Sequence, residues 1–119
     1  MAEIIDQKTW VKGIMALYIL RILERGPAHG NKMAEEIKHR TCDVINPNSN
    51  LLYPLLRKME ERGYVEGGWD HPEKRSKRIY SITEAGRAFL PELEQRVAGR
   101  FSEMELRIHI LRKDLFGVK

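Results

Sequence analysis

The sequence has 119 residues, room for one domain and perhaps one appended helix. Hydrophobic residues make up 42% and charged residues 32%, which describes a soluble chain with a modest core. The formal net charge of +4 permits a polyanionic partner without requiring one, and a single cysteine, Cys42, excludes an intramolecular disulfide framework.

Residues 1–12 include Glu3 and Asp6 and no apolar run, so no signal peptide is expected there. The most apolar stretch, residues 14–23, contains Arg21 and is far too short to span a bilayer. A cytoplasmic location with no membrane partner is therefore expected.

In chain order, residues 9–25 read as a first helix, stopped by Gly26 and Pro27. Only Arg21 is polar between Ile14 and Leu23, so this helix needs cover on more than one side, from its own domain or from a second subunit. A shorter helix is expected over 31–39, with Met33, Ala34 and Ile37 facing inward, followed by a turn-rich connector over 41–47.

A third helix begins near residues 48–50, whose side chains suit capping, and runs to Arg62. Leu52, Leu55, Leu56 and Met59 form its inner face, Pro54 stands near its start, and Gly63 ends it. A β-hairpin follows: one strand from Tyr64, a polar tip over 70–77, and a return strand over 78–82 with period-two alternation. Thr83 and Glu84 cap a last helical stretch reaching about Phe116, with a kink or break expected near Pro91. Three helices and a hairpin in this order give a mainly α fold with a small β-hairpin (α+β): a winged helix-turn-helix over 1–90 with a C-terminal dimerisation helix over 91–119.

Three constellations carry functional expectations. Opposite its apolar face, the third helix presents Asn50, Tyr53 and Arg57, with Asn48 and Ser49 at its tip. Amides and hydroxyls backed by an arginine suit phosphates and base edges in a major groove, although a solvated polar face has the same composition. The hairpin tip gathers Lys74, Arg75, Lys77 and Arg78 without an intervening acid, as a wing lying on the phosphate backbone would need. Arg78 equally suits a structural place on the strand.

The last helix carries Leu90, Leu93, Val97, Phe101, Met104, Ile108, Leu111 and Leu115, separated by three or four residues throughout. That is close to a heptad seam, the pattern by which helices pair across an interface. From Pro91 to Phe116 the helix would be roughly 39 Å long, too long to hide its seam on so small a domain. Ile14 and Tyr18 of the first helix, with Val97, Phe101, Met104, Ile108, Leu111 and Leu115, are the expected dimer contacts. A small apolar effector is placed between Trp10 or Met15 and the terminal helix near Phe101, residues that equally make an ordinary dimer core.

Neither a nucleophile motif nor a phosphate loop is present, so no catalytic residue and no cofactor is expected. His39 and Cys42 are three apart, but two ligands without further thiolates make a poor metal site, and none is assigned. A protein–protein winged-helix module and a metal-sensing regulator remain the alternatives to a DNA-binding regulator.

Residues 24–30 (Glu-Arg-Gly-Pro-Ala-His-Gly), 52–56 (Leu-Tyr-Pro-Leu-Leu), Met59-Glu60, Gly63-Tyr64-Val65 and 78–86 stand in the order and spacing of the PadR-like transcriptional regulators, which the chain resembles over roughly residues 14–90. The resemblance implies a homodimer on an inverted repeat of double-stranded DNA, usually a repressor relieved by a small molecule. It further implies that the C-terminal helix packs on the first helix of the other subunit. Two places depart from the family pattern. Asn31 and Lys32 follow His-Gly where an aromatic is common, and Asn50 stands where a small residue is common. Both lie near the expected DNA face, so an operator sequence does not carry over.

Overall fold

The computed structural model describes residues 7–69 and 78–117. In chain order these form α1 (Gln7–Glu24), β1 (Ala28–His29), α2 (Gly30–Arg40), α3 (Ser49–Glu61), β2 (Val65–Trp69), β3 (Arg78–Ile82) and α4 (Glu84–Phe116).

Helix α1 is the core's axis. Met15, Ile19, Leu20 and Leu23 are almost fully buried, and α2 adds Met33 and Ile37. Four positions of α3 at helical spacing, Leu52, Leu55, Leu56 and Met59, close the core from the other side. Between α2 and α3 the turn is held by Thr41, whose hydroxyl donates to the Ile37 carbonyl at 2.8 Å and accepts from the Ile45 amide at 3.1 Å. Helix α3 begins at an extended Asn48 whose side chain accepts from the Leu51 amide at 3.2 Å, satisfying an otherwise orphaned donor. It ends before Gly63, whose φ of +80° lies in the left-handed region that a side chain disfavours.

Two features differ from the sequence expectation. The sheet has three strands, in the order β1-β3-β2, because Ala28 and His29 pair antiparallel with Tyr80 and Ile79. A two-residue strand carries no periodicity from which to infer it. The last helix, in turn, runs without a break through Pro91. Proline there removes one N–H and crowds the preceding turn, but Pro91 is exposed, and flanking Leu90 and Leu93 anchor the helix on the core. The expected division at residue 90 thus falls inside a continuous helix. Pro54 likewise lies within α3, as its sixth residue, and withholds the N–H that would reach the carbonyl of exposed Asn50.

Helix α4 starts from Thr83, whose hydroxyl accepts from the Gly86 amide at 3.0 Å and donates to the Gly63 carbonyl at 2.6 Å. One side chain therefore caps α4 and ties it to the end of α3. At about 1.5 Å per residue, the 33 residues of α4 span roughly 50 Å. Its inner residues Leu90, Leu93 and Val97 are buried among the core residues, which include those of α1. Among the described residues, no helix is long and apolar enough to cross a membrane.

Candidate nucleic-acid interface

The turn between α2 and α3 and the cap at Asn48 leave one end of α3 open to solvent. Asn48, Ser49, Asn50 and Arg57 are all exposed, on the side away from the buried leucines. No acid occupies the first turn of α3, so the positive end of its dipole is uncompensated, which favours a neighbouring phosphate. Tyr53 belongs to the same face but is half-buried. Its hydroxyl donates to Asn31 Oδ1 at 3.0 Å, and its ring edge packs against Gly30 at the start of α2. Tyr53 therefore links the two helices.

The hairpin strands pair from Val65 opposite Ile82 to Trp69 opposite Arg78. Of the basic wing residues, Arg78 is described, whereas Lys74, Arg75 and Lys77 lie outside the described residues. The Arg78 guanidinium pairs with Glu60 Oε2 of α3 at 2.7 Å and sits 5.7 Å from the ring centroids of both Trp69 and Tyr80. Burial pushes the Tyr80 hydroxyl above its ordinary range, a shift that the positive charge of Arg78 opposes. A cleft of about 250 Å³ opens between these strands and the helices, walled by His29, Asn31, Tyr53, Trp69 and Arg78.

A paired-helix motif with an exposed, uncompensated helix start, beside a two-stranded wing, is the arrangement that sets a helix in a major groove. The sequence pattern of the transcriptional regulator PadR-like family matches residues 19–92. The chain belongs to this family. The Escherichia coli transcriptional regulator YqjI is 28% identical over 91 residues, covering 76% of this chain and 42% of its own length. A PadR family transcriptional regulator from Eggerthella lenta shares the fold at a TM-score of 0.67 and 22% identity, covering 90% of this chain and 89% of that one. Bacillus subtilis PadR, solved in complex with operator DNA, superposes at a TM-score of 0.57 and 21% identity over 66% of this chain and 44% of its own. This chain thus spans less than half the length of YqjI and of the B. subtilis protein.

The family is one of transcriptional regulators and not of enzymes, and this chain is a member of it. Three residues outside the expected DNA contacts also border this face, and of them Asn31 alone stands out in the sequence, as a departure from the family pattern. Asn31 orients Tyr53, Glu60 pairs with Arg78, and Trp69 stacks beside it. The register that sets Trp69 opposite Arg78 was the available signal; Glu60 reads only as a solvated acid along the helix.

The expected dimer contacts of this PadR-like chain divide by depth. Ile14 and Val97 are buried within the single chain, at 8% and 7% exposure. Tyr18 and Met104 are half-buried, with the Arg40 guanidinium 5.2 Å over the Tyr18 ring. Phe101, Ile108, Leu111 and Leu115 are exposed, as are Leu106, Ile110 and Phe116, which the heptad count did not include.

The residues expected to border an effector lie at different depths. Trp10 and Phe101 meet edge to face at 6.1 Å, whereas Met15 is wholly buried in the core. The cleft beside Trp10 has a volume of only about 70 Å³ and is walled by Ile14, Leu93, Val97 and Arg100. On a helix apolar nearly all round, periodicity does not say which side meets the core, and Met15 is on that side. His39 and Cys42 are both exposed, and among the described residues no group of three or more His, Cys, Asp or Glu could hold a metal.

Proposed function

We propose that this chain is a cytoplasmic, homodimeric, sequence-specific repressor of a nearby promoter. Residues 1–90 form the reading head and residues 91–119 the dimerisation helix. Two α3 helices enter successive major grooves of an inverted repeat, with Asn50 and Arg57 at base edges and Asn48, Ser49 and Tyr53 at the flanking phosphates. Lys74, Arg75 and Lys77 of each wing neutralise backbone phosphates.

The exposed polar start of α3, in a chain of the PadR-like family, carries this reading. Dimerisation is supported by the apolar seam left uncovered beyond Val97. An apolar effector fits the reading at the Trp10–Phe101 contact, where a second chain laid along α4 would complete the walls of a cleft too small alone.

A mobility-shift assay on the fragment upstream of the chain's own gene, against excess random duplex, tests the proposal. Preferential shift of that fragment is expected. Failure to bind either duplex would leave the fold to a protein–protein role, and equal binding to both would remove the sequence specificity.

A further inference from the structure

We propose that the Arg78–Glu60 ion pair is a strut fixing the wing against the recognition helix, so that both are positioning residues for DNA reading and not DNA contacts. The inference rests on the reading that α3 and the wing meet the same duplex.

Glu60 stands in the last turn of α3, and Arg78 is the first residue of β3, directly opposite Trp69, the last residue of β2. Their 2.7 Å contact therefore joins the element that reads bases to the base of the element that holds backbone. The guanidinium has little freedom to leave. Trp69 and Tyr80 flank it at 5.7 Å, and among the described residues its buried Nε has no hydrogen-bond partner that would anchor it otherwise. A planar fork held by a carboxylate and between rings is a place that lysine does not fill equally well. The backbone of β2 makes room for it at Gly67, where an added Cβ would collide with Nη2 of Arg78.

Charge gives the second half of the argument. An acid on a recognition helix repels the duplex unless something neutralises it, and Arg78 does so for Glu60. If Arg78 were a phosphate contact, Glu60 would only compete for it. Removing Glu60 would then release a cation to the DNA and tighten binding. If the pair is a strut, removing Glu60 loosens the wing and weakens binding. The two accounts differ in sign.

The pair is partly exposed, with side chains at 38% and 31%, so its loss leaves the fold intact. The test is fluorescence anisotropy of the full chain on the upstream fragment and on random duplex, for wild type, Glu60→Ala, Gly67→Ala, Arg78→Ala and the Glu60→Ala/Arg78→Ala double variant. Glu60→Ala should weaken binding to the upstream fragment about three- to tenfold despite removing a negative charge. Gly67→Ala, which alters no charge, should act in the same direction by displacing the guanidinium. The double variant should bind no worse than Arg78→Ala alone. Exchanging the partners, Glu60→Arg with Arg78→Glu, should recover part of the loss.

Tighter or unchanged binding by Glu60→Ala would overturn the strut, as would additive losses in the double variant. Melting curves identify any variant that folds poorly, and Glu60→Gln then supplies the same test of sign. Wild-type protein that fails to prefer the upstream fragment would defeat the DNA reading itself, an outcome separate from these.

Discussion

Along α4 one apolar stripe passes through two environments. Leu90, Leu93 and Val97 are 5–7% exposed, whereas Phe101, Ile108, Leu111 and Leu115 continue the same spacing at 41–67%. Composition does not separate the two stretches; the length of α1 does. Among the described residues that helix begins at Gln7, and its Trp10 already lies against Phe101, so no described residue before it is left to lay on the seam. The remaining residues of α4, from Phe101 to Phe116, extend roughly 23 Å beyond that contact at the usual rise. An apolar stripe of that length stays in water only at a cost that a second chain removes. The buried half thus builds a domain, and the exposed half is suited to building a dimer.

The sharpest way to break this comparison is a charge in each half. Ile108→Glu would place two unpaired carboxylates in a dimer seam, and should weaken self-association by about 3–5 kcal/mol while the monomer keeps its fold. Sedimentation equilibrium with circular dichroism checks both parts; an unfolded product would mean that the exposed half supports the domain. Next, Leu93→Ala should cost about 2–5 kcal/mol of folding stability, because it opens a cavity among packed side chains. Leu115→Ala should change the stability of the isolated monomer by less than about 0.5 kcal/mol. Denaturant titrations of the two variants in the Ile108→Glu background separate the effects.

Thr83→Ala removes the cap of α4 and its tie to Gly63, and a loss of about 1–2 kcal/mol is expected from thermal melting. The smallest effect concerns pH. Tyr80 keeps its proton above its ordinary range, so its contribution to stability is fully present below about pH 10 and falls as pH rises further, when the unfolded chain ionises first. Stability of Tyr80→Phe measured between pH 8 and 11 should lack that component of the alkaline decline.

Much of this arrangement was legible in the sequence because local signals and tertiary packing agree. Leu52, Leu55, Leu56 and Met59 repeat at helical spacing and are buried together; Asn48 and Thr83 have capping chemistry and do cap. What stayed hidden depends on distance along the chain. Asn31 meets Tyr53 across 22 residues, and Glu60 meets Arg78 across 18, and no periodicity reports such pairs. The depth of Met15 is hidden for the opposite reason, since nearly every face of α1 reads as core. Pro91 suggested a break, but the packing of Leu90 and Leu93 on either side carries the helix through it.

Stoichiometry on DNA tests the central claim most directly. Sedimentation velocity of the full chain with the duplex upstream of its gene, at micromolar concentration and physiological salt, reads how many chains each duplex carries. Two chains per duplex, with the protein already dimeric before DNA is added, is the expected result. A well-folded monomer that binds one chain per duplex, or does not bind, would contradict the account.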